Sequence, residues 1–235
     1  MCGPRPQRNR ALTRIASFYV TGTDTGIGKT FSSCVLLHAL RARGLRAVGM
    51  KPVASGCERI DGHWRNEDAL ALLAASDPQP AYADLNPHAL PQPLAPELAA
   101  AEAGVTIGLE PIAGAYRRLQ AQADAVVVEG IGGWAAPLSA DIDQVDVVRA
   151  LQLPVLMVVG LRLGCINHAR LTAAAIAAAG VPCIGWIANA IDPAMERVEQ
   201  NLQLLRQRLP MPCWGQLPHA PAADPARLAG CLRLP

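Results

Sequence analysis

Short apolar runs alternate with stretches of helical period from one end of the chain to the other. The runs at residues 17–21, 46–50, 125–129, 154–159, 183–188 and 213–217 predict strands. Between them, helical spacing predicts helices over 29–43, 67–75, 96–103, 109–122, 145–151, 167–179 and 194–208. Gly44 and Gly180 stand where helix C-caps belong, and Pro154 and Pro182 prevent the helices from continuing. Runs such as Val126-Val127-Val128 and Val155-Leu156-Met157-Val158-Val159 are apolar at every position rather than at alternate ones. That pattern belongs to strands covered on both faces, hence to a mostly parallel sheet between two layers of helix. Right-handed crossovers then give an α/β, doubly wound, open sheet. The Pro-rich stretch 77–96 reads as a loop, because the alternation resumes after it, so residues 17–235 are expected to form a single domain.

Composition narrows this picture. The chain has 235 residues, 51% of them hydrophobic but only 4% aromatic, which favours helix-on-sheet packing over an aromatic-rich sandwich. A formal net charge of +2 gives no electrostatic footprint for a nucleic acid or an anionic membrane surface. Residues 171–191 contain no charge and are long enough to span a bilayer, but Gly180-Val181-Pro182 divides an Ala-rich helical half from a short strand-like half. A buried helix feeding a buried strand is the expectation. The 7 cysteines are scattered, with no CxxC pair, so neither a zinc site nor a disulfide framework is indicated and a reducing cytoplasm is expected. Residues 1–16 carry Arg5, Arg8, Arg10 and Arg14 without a following apolar run, and read as a basic tail rather than a signal peptide.

In a doubly wound sheet ligands bind beyond the carboxyl ends of the strands, so the residues there carry the chemistry. After the first strand comes Gly22-Thr23-Asp24-Thr25-Gly26-Ile27-Gly28-Lys29-Thr30 and then a helix. Glycines let backbone N–H groups turn toward phosphate oxygens, the helix N-terminus adds partial positive charge, Lys29 reaches terminal phosphates and the Thr30 hydroxyl suits Mg²⁺. This is a P-loop NTPase pattern with one residue more than the usual spacing, and it implies ATP as the nucleotide. After the 125–129 strand, Glu129 stands before Gly130-Ile131-Gly132-Gly133, where a magnesium-organising acid belongs. Lys51, after the second strand, has the charge to stabilise a phosphoryl transfer, although a surface lysine before a proline turn fits equally well. Asp68 reads as a first-turn helix acid or a metal ligand, and Asn189 as a turn residue or a base-edge contact. The segment Leu163-Gly164-Cys165-Ile166-Asn167 leads into a helix at Asn167, either as a plain N-cap or as an anion site.

As a set, these segments resemble the dethiobiotin synthetase family. The resemblance runs in order through residues 20–30, Lys51-Pro52-Val53-Ala54-Ser55-Gly56, Arg65-Asn66 with Asp68, Val127-Val128-Glu129-Gly130, Gly132-Gly133-Trp134, Pro137-Leu138-Ser139, 164–168, and Gly185-Trp186 with Ala188-Asn189. It implies ATP- and Mg²⁺-dependent closure of 7,8-diaminononanoate with CO₂ or bicarbonate into a cyclic urea, with ADP and phosphate released, by a homodimer. Carried over residue by residue, Lys29 and Lys51 become catalytic, and Thr30, Asp68 and Glu129 metal-organising. Nucleotide contacts would come from Gly26, Ile27, Gly28, Lys29, Thr30, Phe31, Asp68, Glu129, Gly130, Ile131, Gly132, Asn189, Ala190, Pro218, His219 and Ala220. The diamine would meet Thr25 and Ser55, and its carboxylate Gly164, Cys165, Ile166 and Asn167 of a neighbouring subunit. Gly26 departs from the pattern, since the family often carries an acid there. Two rival readings fit the residues less well. A P-loop switch ATPase carries a signature lysine where this chain has Asp24, and an ATP-dependent amidoligase carries a glutamine-hydrolysing domain for which this chain has no room.

Overall fold

A computed structural model describes residues 17–220 and 222–235; the basic tail at 1–16 lies outside the described residues. The continuous apolar runs form β1 (Phe18–Gly22), β2 (Ala47–Met50), β3 (Ala125–Glu129), β4 (Val155–Leu161), β5 (Cys183–Ala190) and β6 (Cys213–Leu217). They make a 6-stranded sheet in the order β6-β5-β4-β1-β3-β2, with every neighbouring pair parallel. All residues of β1 to β4 are buried, which is the physical reason their sequences do not alternate.

Helices cover both faces: α1 (Lys29–Ala42), α2 (Glu67–Ala75), α3 (Pro96–Ala103), α4 (Leu109–Gln122), α5 (Gln144–Leu151), α6 (Cys165–Ala178) and α7 (Val198–Arg208). On one face Val20, Val127 and Leu156 pack with Leu36 and Leu37 of α1 and Leu72 of α2. On the other, Tyr19, Val126 and Val128 pack with Ile112 and Leu119 of α4 and Val147 and Val148 of α5. Each such side chain, fully buried, contributes on the order of 1.5–3 kcal/mol of transfer free energy. Residues 171–191 divide, as expected, into the end of α6 and β5, with Gly180 at φ 70 between them.

Three departures have local causes. The helix expected over 194–208 begins only at Val198, because the Asp192 carboxylate accepts from Ala194 N–H (2.9 Å) and holds a turn. The helix expected from Asn167 begins at Cys165 instead. Gly164, at φ 91, takes the N-cap position, so Asn167 stands in the first turn and is not the cap. The 77–96 stretch expected as a loop and the connections left without an element contain small ribbons, pairing Val53–Ala54 with His88–Ala89, Glu58–Ile60 with His63–Arg65, and Pro137–Ser139 with Ile142–Asp143. Strands of two or three residues leave no periodic signature to read.

Chain direction makes one place special. From β1 the chain moves toward the β2 edge, and from β4, its neighbour, toward the β6 edge. Loops leaving adjacent strands in opposite directions open a crevice at their carboxyl ends. The phosphate-type loop and Arg162 flank that crevice.

Candidate active site

The loop after β1 ends at Gly28, whose φ of 80 is left-handed. Space forbids a side chain there as well, since a Cβ would lie 2.1 Å from Asn189 Nδ2. That amide donates to Ile27 O at 2.9 Å, so β5 straps the loop from across the sheet. Lys29, the first residue of α1, turns its ammonium back over the loop and donates to Asp24 O at 2.9 Å. Burial, then the positive charge of Lys51, lower its pKa to about 8. The Asp24 carboxylate in turn pairs with Arg162 at 2.5 Å, bridging the β1 and β4 ends of the crevice.

Beside this loop lies a buried charge cluster. Lys51 is 2% exposed and Glu129 0%, which without partners would be prohibitive for either charge. Lys51 Nζ donates to Glu129 Oε1 (2.6 Å), Asp68 Oδ2 (3.0 Å) and Gly130 O (3.3 Å), which uses all three of its protons. Burial by itself pulls the Lys51 pKa down, but the two carboxylates outweigh it and the net direction is up. Burial likewise pushes Asp68 up, but the Lys51 ammonium, with Thr30 and Lys29 after it, outweighs burial, so Asp68 is held below its ordinary value. Thr30 Oγ1 donates to Glu129 Oε1 at 2.7 Å. Glu129 Oε2 is buried with no hydrogen-bond partner among the described residues. An unpartnered carboxylate oxygen in such a place is a vacant acceptor for a cation or an N–H donor.

The scaffold under Lys51 was not legible in the sequence. Asn86 Nδ2 donates to Lys51 O at 2.7 Å, and Lys51 N–H to Leu85 O at 2.7 Å, fixing the backbone from which the side chain departs. Arg162 was missed in the same way. Both act across long sequence separations, and neither belongs to a motif. Asp68 reaches the cluster because Asn66 caps α2, its side chain accepting from Ala69 N–H, which sets the first turn against Lys51.

A second region opens on the other side of the loop. A cavity of about 280 Å³ is lined by Gly26, Gly28, Phe31, Asn189, Ala190, Ile191, Pro218, His219 and Ala220. Residues read from the two ends of the sequence thus meet around one space, with Ile191 added. The expected diamine contacts are less gathered. Thr25 is exposed, and its hydroxyl faces the 130–133 turn, 3.7 Å from where a Gly132 Cβ would stand. Ser55 is half-buried, with its carbonyl accepting from Asn66 Nδ2 at 3.2 Å. Gly164 and Asn167 are exposed at the start of α6, whereas the Cys165 side chain is packed in the core, which leaves only its backbone to offer.

Two lysines, two carboxylates and a hydroxyl converge next to a phosphate-type loop, an arrangement chemically suited to stabilising a transferring phosphoryl group. Known proteins share the fold and the sequence. The AAA domain family model (AAA_26) matches residues 16–227. Among solved structures, the MinC:MinD cell division protein complex of Aquifex aeolicus aligns with a TM-score of 0.56 at 14% identity, covering 91% of this chain and 86% of that one. A ParA family ATPase from Chlorobium tepidum TLS aligns at 0.55 and 14%, covering 91% and 88%. At such identity these likenesses establish the fold alone. Sequence relatives are far nearer. The ATP-dependent dethiobiotin synthetase BioD of Xanthomonas euvesicatoria pv. vesicatoria (strain 85-10) is 74% identical over 219 residues, covering 93% of this chain and 98% of that protein. The protein of the same name from Xylella fastidiosa (strain 9a5c) is 68% identical over 219 residues, covering 93% and 97%. With the crevice, the buried lysine and relatives of that nearness in agreement, the chain belongs to the dethiobiotin synthetase family.

Proposed function

We propose that the crevice carries out ATP-dependent carboxylation and ring closure of 7,8-diaminononanoate to dethiobiotin. The observation that carries this reading is Lys51 Nζ lying 2.6 Å from Glu129 and 3.0 Å from Asp68, at the sheet edge that also holds Lys29 and Thr30. One amine adds to CO₂ and loses a proton, giving a carbamate. A carbamate oxygen attacks the γ-phosphorus of ATP as the bridging bond to ADP breaks. The second amine then attacks the carbonyl carbon of the mixed anhydride, phosphate leaves with the bonding pair, a proton is lost, and the cyclic urea closes.

This sequence needs no covalent help from the protein. It needs placement, charge neutralisation and dryness. Lys29 and Lys51 neutralise the phosphates and the carbamate, and the glycine-rich loop offers its N–H groups to the triphosphate. Thr30, Asp68 and Glu129 fit a magnesium ion: all three are hard oxygen donors in one network, and Glu129 Oε2 is without a partner among the described residues. Bound there, Mg²⁺ would draw charge from the terminal phosphates. Asn189, Pro218 and His219 would enclose the base, and Thr25 and Ser55 would meet the diamine. Asp24, occupied with Arg162, stands where the switch ATPases have a lysine, which leaves that rival without a residue.

The carboxylate of the diamine would rest on residues 164–167 of a second copy of the chain. Leu163, 93% exposed, and Leu171, 62% exposed, flank that segment and suit a covered homodimer face. The residues that cover 171–191 make no membrane helix, and among the described residues no helix is long and apolar enough to cross a bilayer. The described cysteines are free.

The test is ADP release with and without diaminononanoate and bicarbonate, with mass detection of the product. Diamine-dependent release with one cyclic urea per ADP is expected. Release that ignores the diamine and yields no urea overturns the assignment.

A further inference from the structure

The turn after Glu129 is held by a side chain from elsewhere in the chain. Gln144, the first residue of α5, is 0% exposed. Its Oε1 accepts from Ile131 N–H at 3.2 Å and from the Tyr19 hydroxyl at 2.6 Å. Its Nε2 donates to Gly133 O. One amide therefore clips the turn at both ends, gripping a donor and an acceptor two residues apart. The backbone fixes which way the amide faces, because Ile131 N–H can only donate and Gly133 O can only accept. Tyr19 reinforces that choice. Burial, and after it the Glu129 carboxylate, push its pKa up, so the phenol keeps its proton and remains a donor.

The fit is close. A Cβ at Gly130 would stand 2.3 Å from Gln144 Oε1 and 2.6 Å from Tyr19 Oη, so glycine is required for the backbone to sit on this pair. On its far side the turn meets the phosphate loop: a Cβ at Gly133 would be 3.7 Å from Gly22 O and 3.9 Å from Asp24 Cα. Gly130 O is in addition one of the three acceptors of Lys51 Nζ. Whatever sets the turn thus sets Glu129, one partner of Lys51 and one wall of the phosphate site.

We propose that Gln144, oriented by Tyr19, is a positioning residue of this reaction, locking the 130–133 turn against the phosphate loop so that the carbamate and the γ-phosphate meet in line. The proposal rests on the synthetase reading. It touches neither substrate nor metal, and it acts through Glu129 and the turn backbone.

Its test uses the full chain with Gln144→Leu, Tyr19→Phe and the double variant. Measured are kcat, KM for ATP, and urea formed per ADP released. A displaced turn should lower kcat in Gln144→Leu by roughly 10- to 100-fold, since misplacement of about 1 Å costs about 10²-fold, while KM for ATP stays within about threefold. Tyr19→Phe should lose several-fold, and urea per ADP should fall below one in both as the anhydride meets water. The double variant should be no worse than Gln144→Leu, because both changes break one chain of contacts. Turnover and coupling ratio equal to wild type in both single variants overturn the proposal, as do losses that multiply in the double variant, the signature of two separate packing defects. If Gln144→Leu does not fold, the coupling ratio of Tyr19→Phe decides alone, and a ratio of one overturns the proposal. Wild-type protein that makes no urea overturns the synthetase reading and this inference together, whereas wild-type urea with unaffected variants overturns this inference only.

Discussion

The two halves of the crevice are built on different principles. At the end proposed to take the phosphates, Lys51 and Glu129 are buried to 2% and 0% exposure and hold each other in place, with Asp68 and Thr30 completing the network. At the end proposed to take the base, the cavity between Phe31, Asn189 and His219 is shaped mainly by backbone and apolar surface, and its straps, Asn189 to Ile27 O and the His219 ring to Ala190 O, are hydrogen bonds and not ion pairs. Charge at the first end is organised before any ligand arrives, so its cost is met by the fold and not by the substrate. The second end offers little beyond fit. Damage at the phosphate end should therefore appear in kcat, and damage at the base end in affinity.

The largest separation of those two effects is expected for Lys51→Ala. It removes the cation that faces both carboxylates and leaves Glu129 buried without it. Turnover should fall by about 10²–10³-fold, the scale for losing one preorganised donor to a developing charge. ATP affinity, measured by direct titration, should change only a few-fold, because Lys29 and the loop remain. Turnover within about threefold of wild type would break the comparison at its strongest point.

Smaller, but diagnostic in sign, is the pH dependence of ATP binding. The pKa of Lys29 is lowered to about 8 in the ligand-free protein, chiefly by burial and then by Lys51. Above that pH the amine is neutral and cannot pair with phosphate, so binding must take up a proton. The dissociation constant for ATP should be flat below pH 8 and rise by at most about tenfold per pH unit above it. In Lys29→Arg the rise should vanish, since guanidinium keeps its proton throughout. A wild-type curve flat to pH 9.5 would mean that Lys29 keeps its proton throughout, against the lowering by burial and by Lys51.

How far these halves could be read from sequence follows from the same physics. The strands of the sheet were legible because burial on both faces imposes unbroken apolar runs, and β3 was placed to the residue. The phosphate loop was legible because glycines and a lysine between strand and helix have few other uses. Lys51 was ambiguous, since nothing in Lys51-Pro52 indicates that Glu129 lies 2.6 Å away. Only the family pattern, read across the chain, favoured its catalytic role. Asn86, Arg162 and Gln144 were invisible: each is a single polar residue whose partner is set by topology and not by spacing. The start of α6 was misread for a related reason. Asn167 is a good N-cap by type, but Gly164 reaches the left-handed conformation that turns the chain three residues earlier.

The mildest effect belongs to the base end. Phe31 is half-buried on α1, with one side packed into the core beneath the sheet and the other lining the cavity. A ring at that position adds apolar contact and stacking to a bound base, worth about 0.5–1.5 kcal/mol. Phe31→Ala should thus raise KM for ATP roughly 2- to 12-fold and leave kcat at saturating ATP within about twofold, because none of the groups around the γ-phosphate moves. Steady-state kinetics at fixed diamine and bicarbonate separates the two parameters. A fall in kcat exceeding the rise in KM would mean that the base end transmits strain through Gly28 and Lys29 into the charge cluster. The two halves would then be one mechanical unit, and the division drawn between them would fail.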